Sequence, residues 1–360
     1  MRPSRVLLLG PFPPPHGGVQ THLVTLRQFL RKSGVSCPVI NITGHRKTET
    51  DDVYYPKHAI GLIRLLLQLK YDIIHLHFGG NLTLRLLALT LVCCLVPRVR
   101  TVLTFHSGGY PGSAAGKRAR PWTLRGFVLR RLDRLIGVNA ELVDMYRRFG
   151  VVPMRARFIA PHGSNDRPVL EAAVPESRFF ASHGPVLLTV GGLEPEYDLP
   201  LQIEMLGLLR QTIPDAGLII VGSGSLAQEI RDRIDATPYR DHVLLCGDVP
   251  HAETLQLIAK CDLLLRTTLY DGDSIAVREA LLLGTPVLAT DNGMRPAGVH
   301  LIAGARPDSL AVAVKECLQR PDRPEAVQCD ERNLEAVLEL YAELCGEPEK
   351  SLSSSTSVAG

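Results

Sequence analysis

Eight cysteines occur among the 360 residues, yet no two stand in a CxxC pair, which argues against a zinc ribbon or a thioredoxin-like redox motif. Their scatter, at Cys37, Cys93, Cys94, Cys246, Cys261, Cys317, Cys329 and Cys345, suits small buried hydrophobes in a reducing, cytoplasmic setting. Aromatic residues are scarce at 5%, with Trp122 the only tryptophan, so the stacking platforms of a single-strand nucleic-acid binder are missing and no nucleic-acid partner is expected. The longest apolar run, 87–96, falls well short of the roughly 20 residues that a membrane-spanning helix requires. The N-terminal VLLLG is too short for the core of a signal peptide and reads as a first buried strand. GxGxxG is absent, so the chain carries no dinucleotide fingerprint.

What is present is a globular composition, 45% hydrophobic and 21% charged, in a chain long enough for two cores. The net charge of +3 conceals an asymmetry. Residues 1–175 carry 25 Lys and Arg against 9 Asp and Glu, and residues 176–360 carry 15 against 28. A basic first half predicts a polyanionic partner such as an anionic membrane leaflet or a lipid diphosphate.

Short apolar runs alternate with helical stretches, twice over. Strands are expected near 5–10, 37–42, 72–76, 99–105, 134–138 and 155–160, and again near 186–190, 217–222, 243–247, 262–267, 286–290 and 300–302. Helices are expected between them, the last near 331–345. Uninterrupted apolar strands between helices mean parallel sheets covered on both faces. The fold class is therefore α/β, two Rossmann-like doubly wound parallel-sheet domains at 1–170 and 171–346, with a disordered tail at 347–360. The stretch 166–177 lacks a clear element and coincides with the charge reversal, so it reads as the linker. Ligands of such sheets bind outside the strand C-termini, here in the cleft between the domains.

Residues 261–291, CDLLLRTTLYDGDSIAVREALLLGTPVLATD, read as strand, acidic glycine turn, helix, glycine stop and strand. Ser274 supplies N-cap chemistry, and the helix mouth aims free backbone N–H groups at the strand ends, an anion site. Asp271 sits in the turn and Glu279 one turn into the helix. These carboxylates cannot bind phosphate, so they are placed to accept hydrogen bonds from sugar hydroxyls beside it.

An acid, seven intervening residues and then Glu, just ahead of ALLLGTPV, resembles the signature of glycosyltransferase family 4, retaining nucleotide-sugar enzymes of the GT-B fold. The first acid is Asp271 where the family usually has Glu. The resemblance implies that Glu279 holds the nucleotide ribose, that Asp271 lies near the donor sugar, and that the amides of Ser274 and Ile275 meet the diphosphate. It extends to the glycine turn at 15–22, where Gly17 and Gly18 would let the backbone approach a diphosphate or sugar closely, and to the glycine turn at 222–226. It also covers the histidines. His75 and His77 share a strand face and His106 ends the next strand. That pattern permits a metal, but spacing shows no third ligand, so no metal is expected. By resemblance His106 lies over the donor sugar, while His75 and His77 support the strand end.

The likeness weakens at 191–199. Gly191 and Gly192 keep the backbone open toward the donor, but family members usually carry Arg at the position of Gly192 and Lys at that of Tyr197. Each lost charge-assisted bond to a diphosphate is worth about 1.5–3 kcal/mol. Arg266, Arg278 and Arg295 are the candidate replacements. The expected activity is transfer of a sugar from a nucleotide-sugar donor to a glycan or lipid-linked acceptor, with no cofactor. Loss of the two cations keeps a non-catalytic glycosyltransferase-like subunit in view, and a sugar-nucleotide epimerase is the enzymatic rival. The basic stretch 117–132, with Leu124, Phe127, Val128, Leu129 and Leu132, suits either a core face or a peripheral membrane contact, and the loop 110–120 before it reads as mobile.

Overall fold

The computed structural model describes residues 5–43, 51–161, 176–304, 306–320 and 331–346. The expected linker, apart from its last two residues, and the expected C-terminal tail lie outside the described residues.

The first sheet holds β1 (Val6–Gly10), β2 (Val39–Asn41), β3 (Val53–Tyr54), β4 (Ile73–Phe78), β5 (Arg100–Phe105), β6 (Arg134–Gly137) and β7 (Ala156–Phe158). Its helices are α1 (Gly18–Lys32), α2 (Ala59–Gln68), α3 (Leu84–Cys94), α4 (Ala114–Lys117), α5 (Leu124–Leu129) and α6 (Ala140–Arg148). The second unit runs α7 (Ser177–Ser182), β8 (Val186–Val190), α8 (Leu199–Leu209), β9 (Gly217–Val221), α9 (Ala227–Asp235), β10 (Val243–Gly247), α10 (His251–Lys260), β11 (Leu263–Arg266), α11 (Ile275–Leu282), β12 (Val287–Thr290), β13 (His300–Ile302) and α12 (Pro307–Leu318), followed by α13 (Arg332–Gly346).

Every recorded strand pairing is parallel. The orders are β3-β2-β1-β4-β5-β6-β7 and β10-β9-β8-β11-β12-β13. Both faces of each sheet are covered, and the period-two side-chain alternation divides each strand between two cores. In β1, Leu7 and Leu9 join one cluster while Val6 and Leu8 join the other. In β8, Leu187 faces one way and Val186 and Leu188 the other. Strand order reverses between β1 and β4 and between β8 and β11, and at such switch points the loops splay apart to leave a crevice. The turns carrying Gly17 and Gly18, Gly191 and Gly192, and Asp271 to Ser274 all open at those two points.

Three expectations need correction. Helix α13, expected in the second domain, packs on the first: Leu334, Val337, Leu340 and Tyr341 share a core with Val6, Leu8 and Leu26. The buried Tyr341 hydroxyl lies 2.5 Å from His75 Nδ1. Its amphipathic spacing fits any sheet face, so sequence could not choose between them. The loop 110–120 is built rather than loose. Tyr110 and Ala119 are core residues, and a Cβ on Gly116 would lie 2.2 Å from the Tyr110 carbonyl oxygen. The stretch 117–132 divides between its two readings, for Val128, Leu129 and Leu132 are buried while Trp122, Leu124 and Phe127 are exposed. Strand β3 was not foreseen, because two residues carry no periodicity.

Candidate active site

The two switch-point crevices face each other across a cleft of about 420 Å³. Its first wall is the turn into α1 with His106 beyond β5, and its second wall is formed by the turns after β8, β9, β10 and β11. The walls touch. The His16 amide donates to Asp248 Oδ1 at 3.1 Å, and Ile275 faces Gly18, where an added Cβ would come 3.8 Å from Ile275 Cδ1. The closest approach is Gly108 on Gly272, where a Cβ on Gly108 would sit 2.3 Å from the Gly272 Cα. Backbone cannot yield as a flexible side chain can, so Gly108→Val is expected to hold the domains apart. The added Cβ would also press on the Asn139 amide nitrogen of its own domain at 2.9 Å, so the variant should melt a few degrees below wild type and lose at least about tenfold in kcat/KM. An unchanged kcat/KM would mean that this closed contact is not needed for turnover.

Helix α11 starts as its sequence requires. The Ser274 hydroxyl accepts from the Val277 amide at 3.5 Å, leaving the earlier amides of the helix mouth toward the cleft. Glu279 follows one turn later and is 3% exposed. One of its oxygens, Oε1, lies 2.8 Å from His251 Nε2 at the start of α10, and both residues line the cleft. His251 and Asp248 were not singled out from sequence. The signal available was their place after an apolar strand and before a helix, at 248–251.

Asp271 is held differently from the expectation. Its Oδ2 accepts from Arg266 Nε and from Arg295 Nη1, each at 2.8 Å, and its Oδ1 accepts from the Gly272 amide at 2.8 Å. Burial alone would push this carboxyl up, but Arg266 and then Arg295 hold it below the ordinary carboxylate range. Its ionised form therefore contributes to stability above that range, and the contribution is lost only as pH falls through the lowered value. Asp271 is thus the counter-ion of two arginines, and both of its oxygens are engaged before any sugar arrives.

Those arginines also differ in kind. Arg295 has a side chain only 1% exposed, and it is spent on Asp271, the Thr290 carbonyl and the Thr268 hydroxyl. Arg278 forms a bidentate pair with Asp273 and lies off the cleft wall. Neither is placed to meet a diphosphate, so both expectations are withdrawn. Arg266 does line the cleft. It donates to the Val190 carbonyl at 3.0 Å, and its guanidinium stacks 4.7 Å from the Tyr197 ring centroid. Tyr197 therefore replaces the family's usual cation with a platform under one. Within this cluster two guanidiniums meet one carboxylate.

Gly191 and Gly192 lie under the same ring, and a Cβ on Gly191 would sit 2.1 Å from Tyr197 Cε1. Gly222, at φ +137, would put a Cβ 1.8 Å from the Gly191 carbonyl oxygen, so both the backbone angle and the space demand glycine there. On the opposite wall His106 lines the cleft and pairs through Nε2 with His77 Nδ1 at 3.2 Å. His75 is structural, held by Tyr341 and by the Thr104 hydroxyl at 2.7 Å.

Two family models match the chain, "Glycosyltransferase Family 4" over residues 16–162 and "Glycosyl transferases group 1" over 173–333. The chain belongs to glycosyltransferase family 4. The Mycobacterium tuberculosis glycogen synthase is 26% identical over 206 residues, 55% of this chain and 47% of that protein. A GDP-mannose-dependent phosphatidylinositol monomannoside mannosyltransferase of Mycolicibacterium smegmatis is 25% identical over 229 residues, 56% of this chain and 59% of that protein. The chain thus spans about half the length of these two relatives. The corresponding mannosyltransferase of M. tuberculosis aligns over 90% of this chain and 91% of its own length at 24% identity. Among solved structures, HepE of Anabaena in complex with UDP and glucose superposes with a TM-score of 0.68 at 15% identity, covering 96% of this chain and all of that one. That likeness shows the GT-B fold.

Proposed function

We propose that this family 4 chain is a retaining glycosyltransferase that moves a sugar from a nucleotide-sugar donor to a glycan or lipid-linked acceptor. The observation that carries this reading is the convergence, in one cleft, of the α11 mouth, Glu279 and Arg266 on one wall with the Gly17–Gly18 turn and His106 on the other. Glu279 would accept from ribose hydroxyls with His251 fixing its rotamer. The Ser274 and Ile275 amides and Arg266 would take the diphosphate.

Transfer would proceed on the front face. The bond from the anomeric carbon to the phosphate oxygen breaks as the acceptor oxygen bonds to the same face, and the acceptor proton passes to the departing phosphate oxygen. Charge building on that oxygen is what Arg266 and the helix amides stabilise. Asp271 then acts by positioning Arg266, and His106 is the group nearest the sugar. Relatives named as glycogen synthase and as mannosyltransferases support transfer to carbohydrate or lipid-linked acceptors. A thermal-shift screen against UDP-, GDP- and ADP-sugars tests the reading. One nucleotide class should raise the melting temperature by several degrees, and no shift with any of them would favour the non-catalytic subunit, which the missing cations at 192 and 197 keep as the second reading.

The acceptor side is proposed to rest on an anionic membrane surface. No helix among the described residues is long and apolar enough to cross a membrane. Trp122 is 81% exposed, beside exposed Leu124 and Phe127 and the cations Lys117, Arg118 and Arg120, the mixture that interfacial binding uses. Because Trp122 is the sole tryptophan, its emission should shift to the blue with phosphatidylglycerol vesicles and not with phosphatidylcholine alone. No shift with either would remove this contact.

A further inference from the structure

We propose that His22, His77 and His106 form a zinc site. The three come from separate elements: His22 on α1, one turn past Gly18, His77 on β4, and His106 just after β5. Each offers a ring nitrogen, and these nitrogens all lie within 4.8 Å of one another. The His77 Nδ1 to His106 Nε2 separation is 3.2 Å. Two nitrogens each 2.0–2.1 Å from one tetrahedral ion stand about 3.4 Å apart, so small ring rotations would complete the set. His22 closes the group from the other side, with ring centroids 5.6 Å from His77 and 5.0 Å from His106.

The contrast with His75 is what points to a ligand. Both His75 nitrogens have oxygen partners, Tyr341 and Thr104. His77 is equally buried, yet among the described residues its Nε2 has no hydrogen-bond partner and its Nδ1 meets another imidazole. A metal ion between His77 Nδ1 and His106 Nε2 would replace that imidazole contact and fix both tautomers, with the His77 proton on Nε2. Three imidazoles are a borderline donor set that suits zinc, cobalt, nickel or copper rather than magnesium or calcium.

Such an ion would tie the first turn of α1, and with it the Gly17–Gly18 turn, to the ends of two strands. Water or a hydroxyl in the cleft that His106 lines would take the fourth position. The site shares His106 with the proposed donor pocket, but its test reads metal rather than turnover.

The experiment titrates untagged protein, stripped with chelator and dialysed, with Co2+ as an optical probe of a zinc site. One equivalent should develop the intense visible bands of tetrahedral cobalt, and Zn2+ should bleach them. His22→Asn and His106→Asn, each checked for native far-UV dichroism, should weaken Co2+ binding by more than the roughly 10–100-fold that loss of an outer partner costs. His58→Asn, at an exposed position, should leave it unchanged. Absence of tetrahedral bands in the wild-type protein, or bands equally strong in both cleft-side variants, would overturn the site and leave a hydrogen-bonded histidine cluster. The wild-type titration decides the matter even where a variant fails to fold.

Discussion

Arg266→Ala should lower kcat/KM for the nucleotide sugar by about 10²–10³-fold, the usual effect of removing one donor aimed at developing charge. The residue is the single cation of its cluster that reaches the cleft wall, and Tyr197 and the Val190 carbonyl hold it there. Stability should fall by less than the 3–5 kcal/mol typical of breaking a buried ion pair, because Asp271 keeps Arg295. Arg266→Lys separates charge from geometry. A lysine restores the positive charge but not a planar fork able to serve Asp271, Val190 and a phosphate at once, so it should recover only part of the loss. Steady-state kinetics on the two variants, with urea unfolding to measure stability, checks both statements. A change under threefold for Arg266→Ala would place the leaving-group charge elsewhere.

Glu279→Ala should weaken donor binding by about 10–150-fold, the equivalent of about 1.5–3 kcal/mol for a hydrogen bond to a charged group. The carboxylate is buried in the cleft wall and meets His251 through Oε1. Glu279→Gln keeps the shape and one acceptor, so it should lie between wild type and alanine. The effect should appear in KM for the donor more than in kcat, because ribose contacts bind ground state and transition state alike. Product-release or equilibrium dialysis measurements with the bare nucleoside diphosphate should show the same loss, whereas binding of the acceptor alone should not.

The parts legible in the sequence were those carried by local pattern. Apolar runs such as 6–10 and 73–78 can only be strands covered on both faces, and they set the fold class. The turn at 271–274 and the helix after it announce their own cap, mouth and stop. What sequence could not supply was pairing between distant side chains. Arg266, Asp271 and Arg295 were all noticed, but which cation would face the cleft depended on Thr268, Thr290 and Val190, whose carbonyls and hydroxyls are brought together by the parallel pairing of β8, β11 and β12. Likewise His77 and His106 lie at the ends of adjacent strands, while the third histidine of the cluster is on a helix more than fifty residues before His77, where spacing carries no information. The last helix was misplaced for the related reason that an amphipathic stripe specifies burial and not an address.

The central claim is that the cleft binds a nucleotide sugar through α11 and Arg266 despite the missing cations at 192 and 197. Calorimetric titration of the wild-type protein with UDP-, GDP- and ADP-sugars, repeated on Glu279→Ala and Arg266→Ala, tests it most directly. The account predicts one saturable site for one nucleotide class, weakened at least about tenfold in each variant. Absence of binding by every donor, or equal affinity in all three proteins, would contradict it.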